Sequence, residues 1–393
     1  MASDSVAVTR EAGVAPRSAN RTVADVGRPG SNALNFMRLV LAASVIVSHT
    51  AAIGGFQAEM PGWIGWVAEW AVNGFFVLSG FLIAGSRMRL PLGPFLWNRA
   101  VRIFPGYWMA LIVVAIAVAP ASALISGENY QLRSAMDYLL NNSMLLTNQW
   151  GIEGTLLTVP HPGAWNGSLW TLYYEFWAYL LAGVLLSGAL IRRHAGWVSV
   201  GLLVIVTVSQ VAALGAVDSM GASWLSALRL GAFFLAGMVM HFFGHRARLS
   251  WLAAVGCLVV LVIMLEFGQV NVLGHLPFAY ILLWLGGRLP TRIGSVNDLS
   301  YGTYVYAFPI QQLLALFGGV ALGPYLFALV AFALTLPLAW ASWRFIESPA
   351  MRYRMSSGNR HGGDGGHPAV AAHDSGVTRS VPRHDSPGPL TTV

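Results

Sequence analysis

The chain has 393 residues, of which 56% are hydrophobic and only 10% are charged, and its formal net charge is +7. Soluble globular proteins carry about 25% charged residues, so this composition argues against a soluble domain and indicates a polytopic membrane protein. The arginines stand in short clusters between apolar runs rather than on one basic face, which argues against nucleic-acid binding. The single cysteine, Cys257, excludes a disulfide framework and a cysteine-based metal site.

Polar segments flank the apolar body of the chain. Residues 1–31 are predicted to be a disordered cytoplasmic lead, because they are too long and polar for the charged region of a signal peptide. Residues 356–393 are rich in Gly, His, Ser and Pro and are predicted to be a disordered cytoplasmic tail. Residues 32–355 then form one transmembrane domain. We expect no metal site in the tail, because its histidines follow no tight ligand spacing: His361, His367, His373 and His384.

Ten apolar segments are long enough to cross about 30 Å of hydrocarbon. They are predicted at 34–54, 66–86, 103–121, 168–190, 196–215, 224–243, 251–268, 273–287, 299–318 and 322–344. The predicted fold class is therefore all-α, a polytopic membrane bundle of about ten transmembrane helices.

The charges of the connecting loops predict the orientation of this bundle, because Lys and Arg favour the cytoplasmic side. Basic loops alternate with acidic or uncharged loops along the whole chain. The basic clusters between spans are Arg87 with Arg89, Arg99 with Arg102, Arg192 with Arg193, Arg246 with Arg248, and Arg288 with Arg292. The alternation predicts that both termini are cytoplasmic and that the long loop 122–167 lies outside.

Two ionisable residues fall deep within the predicted spans, His49 in the first and Glu175 in the fourth. A charge at the bilayer centre costs roughly 2.5–3.5 kcal/mol, so such groups usually face a cavity and serve a function. At 1.5 Å per residue, both side chains come out at about the same depth, in the outer half of the membrane. A carboxylate beside an imidazole raises its basicity, as a general base requires. The alternatives are a core histidine bonded to a backbone carbonyl and a glutamate bonded to a Tyr or Trp.

Three arginines are predicted to form a basic rim at the cytoplasmic side. Arg38 lies eleven residues before His49, which places both side chains on one helix face, about 16 Å apart. Arg99 and Arg102 share a face at the start of the third span. Arginine forks suit phosphate groups, so an anion with several phosphates, such as coenzyme A, would fit there. The alternative is that these arginines only set the topology.

Small and polar residues mark further positions. Ser79 and Gly80 belong to a run of small residues that permits close helix packing, and no base stands near Ser79 in the sequence to make it a nucleophile. Ser168 is a candidate N-cap for the fourth span. Tyr301, in the ninth span, either lines a pocket or belongs to an interfacial aromatic belt, and Pro309 is predicted to kink that helix.

Several motifs, taken in order, resemble the acyltransferase-3 family of integral membrane acyltransferases over about residues 32–355. Arg38 and His49 meet the family's arginine–ten residues–histidine pattern. The segments "FFVLSGFLI", "RAVRIFP", "NGSLWTLYYEFWAY", "LSYGTYVYAFP" and "FIESP" are similar to its later signatures. One position departs: many relatives carry a histidine two positions before the proline of the ninth helix, where this chain has Ala307. No catalytic role can be carried over to that position.

The resemblance implies O-acylation in a bacterial plasma (inner) membrane. An acyl group, most simply acetyl, would pass from cytoplasmic acyl-CoA to a hydroxyl of a cell-envelope carbohydrate or glycolipid. Acyl-CoA is then a co-substrate, and no permanently bound cofactor or metal is expected. His49 would act as base or acyl relay with Glu175 beside it, and the substrate pocket would include Ser168, Trp170 and Tyr301. Some relatives carry an extracytoplasmic hydrolase-like domain, so a separate extracytoplasmic transferase is a possible partner.

Two other classes of function compete with this one. A proton-coupled exporter of a sugar or lipid would also use a buried histidine and glutamate. The basic rim and the lack of a clear inverted repeat weigh against it. A non-catalytic membrane scaffold would leave the cost of burying His49 and Glu175 without explanation.

Overall fold

A computed structural model describes residues 21–27, 33–214, 221–291, 293–294 and 297–356 of the chain. The predicted tail, apart from Ser356, and most of the predicted lead lie outside these residues.

The end of the predicted lead is folded, which corrects its boundary. Val23–Gly27 form a 3-10 turn whose two valines are buried. The Val23 amide donates to the Ala247 carbonyl oxygen at 2.8 Å, and the Leu249 amide donates to the Arg21 carbonyl oxygen at 2.9 Å. Val23 and Val26 bury apolar surface, which stabilises the contact of this part of the lead with the bundle.

Ten helices correspond to the ten predicted spans, and the described residues contain no β-strand. The helices are α1 (Leu34–Ile53), α2 (Ile64–Arg89), α3 (Leu92–Val113), α4 (Trp170–Leu185), α5 (Ala195–Leu214), α6 (Ala222–Phe243), α7 (Trp251–Glu266), α8 (His275–Arg288), α9 (Ser300–Leu316) and α10 (Pro324–Ser342). A π-helical turn, Val114–Val118, continues α3 into Ala119–Ser126, and a second π-helical turn, Trp343–Glu347, continues α10. The long loop contains one further helix, Leu132–Asn142.

Six of these helices are long and apolar enough to cross a membrane: α1, α2, α3 with its continuation, α5, α6, and α10 with its continuation. The other four, α4, α7, α8 and α9, have between 14 and 17 residues. At 1.5 Å per residue they reach about 21–26 Å, less than a hydrocarbon core of about 30 Å. The all-helical membrane fold is therefore confirmed, whereas the count of ten spans and the side of the termini stay predictions.

Local sequence explains several helix ends. Leu90 is extended (φ −109°, ψ 143°) because Pro91 follows it, and this separates α2 from α3. Gly127 ends the continuation of α3 in the left-handed region at φ +68°. Gly323 also has a positive φ, of +74°, and Pro324 then begins α10.

The centre of the bundle is the close packing of α2 against α6. A Cβ atom added to Gly80 would lie 1.9 Å from the Phe234 carbonyl oxygen, and one added to Gly237 would lie 2.1 Å from the Val77 carbonyl oxygen. Only glycine permits this approach of two backbones. The predicted role of the small residues in α2 is confirmed at Gly80.

Helices α1 and α9 run side by side in the same direction. Arg38, near the start of α1, contacts Asp298, just before α9. Further along both helices, the Gln311 amide donates to the Ile46 carbonyl oxygen at 2.9 Å and to the Thr50 hydroxyl at 3.0 Å.

A segment of the long loop, 161–169, packs against α9 and positions α4. The Asn166 amide donates to the Val305 carbonyl oxygen at 2.7 Å, and the Gln312 amide donates to the His161 carbonyl oxygen at 2.8 Å. As a result α4 begins inside the bundle, where the Thr171 and Tyr304 hydroxyls are buried and 2.5 Å apart.

Candidate functional site

A narrow cavity of about 50 Å³ lies between α1, α2, α3, α4 and α9. It has room for only a few water-sized groups. Its polar lining residues are Arg38, Arg102, Thr171, Glu175, Tyr179, Ser300, Tyr301 and Tyr304. These polar side chains come from four segments that are far apart in the sequence, so the fold assembles the cavity.

Arg102, in the cavity wall, belongs to an ion-pair cluster with Asp298 and Glu347 that we call the arginine clamp. The Arg102 guanidinium lies 2.5 Å from the Asp298 carboxylate and 3.1 Å from the Glu347 carboxylate. All three side chains are largely buried, with exposed fractions of 12%, 13% and 2%. The guanidinium also lies over the Tyr301 ring, 5.5 Å from its centroid. The clamp therefore ties α3, α9 and the continuation of α10 together.

Asp298 is held in its ionised form. Burial raises the pKa of this carboxyl, but Arg102 and Arg38 and two hydrogen bonds from Ser300 lower it more, so the pKa lies below its ordinary value. The Ser300 hydroxyl donates at 2.5 Å and its amide at 3.2 Å. Asp298 therefore neutralises part of the arginine charge at this end of the cavity.

Three other arginines lie near the clamp, and of these described residues only Arg38 contacts it, 3.8 Å from the Asp298 carboxylate. The Nε atoms of Arg38 and Arg99 are buried and have no hydrogen-bond partner. Arg99 stacks 5.9 Å from the Phe95 ring centroid and forms no ion pair within the described ranges. Partial burial, with Arg99 and Arg102 close by, lowers the pKa of Arg354 to about 10. We call Arg38, Arg99 and Arg354 the basic end of the site.

Glu175 lies in the cavity wall and is bonded to two hydroxyl groups. The Ser79 hydroxyl donates to Glu175 Oε1 at 2.6 Å, and the Tyr179 hydroxyl donates to the same oxygen. The charge of Glu175 also acts on Arg99. The alternative interpretation from sequence, a glutamate bonded to a tyrosine, describes these contacts.

His49 does not line this cavity and forms a separate group with His161 and Phe308, which we call the histidine end. The His49 ring meets the Phe308 ring edge to face at 5.2 Å, and the His161 ring lies 6.0 Å from the same phenyl ring. The His49 Nδ1 atom is buried and has no hydrogen-bond partner. An imidazole nitrogen without a partner can accept a proton or bind a polar group of a substrate.

The two ends lie along one face of α1 that meets α9. Arg38 and His49 both contact α9 residues or their flank, Asp298 and Phe308 respectively. On α9, Tyr301, Tyr304 and Phe308 follow at three- and four-residue steps and so share a face. The spacing between Arg38 and His49 therefore indicated a face that the fold uses, about 16 Å long.

No hydrogen bond joins the described residues His49 and Glu175, whose carboxylate is bonded to Ser79 and Tyr179. Glu175 instead shares the cavity with Arg38. Segment 161–169 and the start of α4 are hydrogen-bonded to α9, through Asn166 and Thr171.

The predicted pocket residues have different surroundings. The Ser168 prediction as an N-cap is wrong: the helix begins at Trp170 without a side-chain cap, and the Ser168 hydroxyl has no partner. Its amide instead donates to the Asn166 side chain at 3.3 Å, which makes a turn before the helix. Trp170 packs edge to face on Tyr174, and its neighbour Thr171 lines the cavity.

Tyr301 lines the cavity, and its hydroxyl donates to the Ile103 carbonyl oxygen at 2.6 Å. The cavity interpretation thus describes Tyr301 better than the interfacial belt. Ala307 is buried with Ile46 and Ala331 in a small apolar cluster.

Sequence reasoning assigned no role to several residues of this site. Asp298 stands directly before the quoted segment "LSYGTYVYAFP" and Glu347 stands inside "FIESP". A buried arginine at position 102 required such acidic partners. His161 and Arg354 lie in polar segments, where nothing in the sequence distinguishes them from surface residues.

The described residues thus form an all-helical membrane protein with a charged internal cavity. Its sequence belongs to the acyltransferase-3 family, because the family model, described as an acyltransferase domain, matches residues 31–344. The protein is therefore an acyltransferase, as its sequence predicted.

Two relatives cover most of the chain. A protein of Shigella phage Sf6 named O-acetyl transferase is 29% identical over 337 residues, which is 81% of this chain and 95% of the relative. Nodulation protein 10 of Rhizobium leguminosarum bv. viciae is 27% identical over 370 residues, 83% of this chain and 94% of the relative. No solved structure matches the chain.

Proposed function

We propose that this acyltransferase moves an acyl group, most simply acetyl, from acyl-CoA to a hydroxyl of a cell-envelope carbohydrate or glycoconjugate in a bacterial plasma membrane. The name of the phage Sf6 relative, O-acetyl transferase, supports an acetyl group and an oxygen acceptor. The basic end and the histidine end lie along the same side of α1 and differ in chemistry, which supports a separate binding place for each of two substrates.

The donor binds at the basic end in this proposal. Guanidinium groups bind phosphate through paired hydrogen bonds, and the buried Nε atoms of Arg38 and Arg99 have no other partner. Arg354 adds a third cation near them. A narrow cavity suits the thin thioester arm of coenzyme A better than it suits a sugar. Arg102, which is matched by two carboxylates, is a positioning residue of the cavity wall rather than a phosphate ligand.

The acceptor hydroxyl binds at the histidine end. His49 takes the hydroxyl proton while the acceptor oxygen forms a bond to the thioester carbon. The carbon–sulfur bond then breaks, and the proton passes to the departing coenzyme A thiolate. The observation that carries this assignment is the buried His49 Nδ1 atom without a partner. In a two-step variant, His49 accepts the acyl group first and passes it on. Glu175, bonded to Ser79 and Tyr179, is proposed to keep the cavity in shape.

The test uses the full chain in detergent with [14C]acetyl-CoA. Three quantities are measured: bound acetyl-CoA, released coenzyme A, and label retained on the protein. The variants are His49→Ala and His49→Gln, and the control is His275→Gln. His275 is a suitable control because it is also buried, has an unpartnered Nδ1 atom, and lies away from the cavity, 3.1 Å from the Thr207 hydroxyl.

With bacterial surface oligosaccharides added as acceptor, we expect wild type and the His275 variant to release coenzyme A, and the His49 variants to bind acetyl-CoA without releasing it. Without acceptor, only the two-step variant releases coenzyme A. Label retained by wild type and lost in His49→Ala identifies the two-step variant. Normal release by both His49 variants would exclude His49 as base and as relay. A wild-type protein that binds no acetyl-CoA would contradict the proposed donor and favour an exporter.

A further inference from the structure

A second cavity, wide and polar, lies in the long loop that precedes α4. Its volume is about 800 Å³, against about 50 Å³ for the cavity described above. It lies between the loop helix Leu132–Asn142 and the segment 149–163. We call it the loop groove. Its volume falls in the range of small-molecule sites, about 300–1,000 Å³.

The rim of the loop groove carries polar side chains from one face of the loop helix. Arg133, Asp137 and Asn141 follow at four-residue steps along one face of the loop helix. The side chains of Arg133, Asp137 and Glu153 are exposed and form no hydrogen bond or ion pair within the described part of the chain. They are therefore available to a ligand.

The floor of the loop groove is fixed by hydrogen bonds. The Gln149 amide donates to the Ser134 and Gly151 carbonyl oxygens, both at 2.9 Å. The Ser134 hydroxyl accepts the Glu153 amide proton at 3.0 Å. This network holds the two walls at a fixed distance, as a preformed binding site requires.

The loop groove adjoins the histidine end of the candidate active site. Pro162 and Gly163 line the groove and follow His161 directly in the chain. His161 in turn meets the Phe308 ring that His49 also contacts. The groove therefore lies next to a residue that shares its ring contact with His49.

We propose that the loop groove binds the carbohydrate portion of the acceptor and presents one hydroxyl to His49, an inference that rests on the proposed function. Carboxylate, amide and guanidinium groups along a fixed rim match the dense hydroxyl donors and acceptors of a sugar chain. The rim has two free carboxylates, of Asp137 and Glu153, against the one guanidinium of Arg133. This balance favours a neutral glycan over an anionic one.

The test measures transfer from [14C]acetyl-CoA to neutral bacterial surface oligosaccharides of two to six sugars, with anionic oligosaccharides of similar size in parallel. The variants are Asp137→Asn, Glu153→Gln and the pair together. The control is Glu59→Gln, because Glu59 is an exposed loop carboxylate outside the groove. The KM for acceptor and the KM for acetyl-CoA are determined separately, and thermal unfolding shows that each variant is folded.

Each single variant is expected to raise the acceptor KM about three- to tenfold, because it weakens one or two hydrogen bonds between the sugar and a charged group. The double variant is expected to raise the acceptor KM further. The KM for acetyl-CoA and the control are expected to stay unchanged. Unchanged acceptor KM values in the double variant would overturn the groove assignment while leaving the proposed function intact.

Two other results would also overturn it. A preference for anionic oligosaccharides would contradict the charge argument. Wild-type protein that binds acetyl-CoA but acylates no oligosaccharide would remove both this inference and the carbohydrate acceptor of the proposed function. If wild-type protein binds no acetyl-CoA, the proposed donor is wrong. That result is distinct from failure of the groove assignment, in which acetyl-CoA still binds.

Discussion

The Arg102 guanidinium and the Asp298 carboxylate lie 2.5 Å apart and join α3 to the start of α9. Removing one partner of a buried ion pair leaves an unpaired charge, which costs about 3–5 kcal/mol. Glu347 remains beside Arg102, so Asp298→Asn is expected near the lower end of that range. Thermal unfolding in detergent should show a Tm lowered by roughly 5 °C. Glu266→Gln, at an exposed helix end, is the control; an unchanged Tm for Asp298→Asn would contradict the structural role of the clamp.

The same ion pair predicts a pH dependence. The pKa of Asp298 is lower in the folded protein than its ordinary value, so the stabilisation is complete above that ordinary value, about 3.9. It is lost as the pH falls through the lower pKa of the folded state. The Tm difference between wild type and Asp298→Asn should therefore be constant from pH 7 to pH 5 and shrink below pH 4. A difference that already shrinks between pH 7 and pH 5 would contradict the lowered pKa.

The arginines of the predicted rim divide into two groups. Arg99 has a buried Nε atom without a partner, whereas Arg102 is matched by Asp298 and Glu347. Arg99→Met should therefore weaken coenzyme A binding about tenfold or more while changing the Tm little. Arg102→Met should lower the Tm as well. Coenzyme A binding isotherms and thermal unfolding of Arg99→Met and Arg102→Met test these expectations, with the exposed Arg193→Met as control. Equal effects of the Arg99 and Arg102 substitutions on binding and on stability would show that the two arginines do not have different roles.

Glycine packing in α2 gives a prediction with an internal control. Gly80→Ala places a Cβ atom 1.9 Å from the Phe234 carbonyl oxygen, so the α2–α6 contact must open. Overpacking of this kind costs about 1–3 kcal/mol of stability. We expect a value near the upper end of that range, because the added Cβ atom meets a backbone atom rather than a movable side chain. Gly65, in the same helix, has nothing within 4 Å of an added Cβ atom, so Gly65→Ala should raise stability by about 0.5–1 kcal/mol. If both variants unfold at the same temperature, α2 and α6 do not pack as described.

The sequence predicts which segments are helical better than it predicts how those helices are placed against one another. Apolar runs located a helix for every predicted span, and the spacing of Arg38 and His49 identified the face of α1 that meets α9. Both inferences use only local periodicity. The position of Glu175 in the bundle depends on segment 161–169, which is hydrogen-bonded to α9 and leads directly into α4. Contacts between distant segments leave no periodic signal, which is why the arginine clamp and the loop groove required the structure.

A second ion pair within the helices was also missed, and it lies outside the candidate active site. Arg229 of α6 lies 3.2 Å from the Glu69 carboxylate of α2 and donates to the Asn73 side chain at 2.7 Å. The Asn271 amide donates to the same carboxylate at 2.7 Å. Because the proposed chemistry does not use these residues, we expect them to act on stability and not on transfer.

The expected result is a non-additive pair of substitutions. Glu69→Gln leaves the more buried charge, that of Arg229, with only neutral partners and should cost roughly 3 kcal/mol, and Arg229→Met should cost less because the Glu69 charge that it leaves behind is the more exposed of the two. The double variant should be more stable than the sum of the single changes predicts, by about 1–3 kcal/mol. Thermal unfolding of the four proteins gives this coupling, and acetyl transfer measured well below each Tm should equal that of wild type. Additive losses of stability would show that the two charges do not interact. Transfer that is lost in folded Arg229→Met would place this ion pair in the catalytic machinery instead.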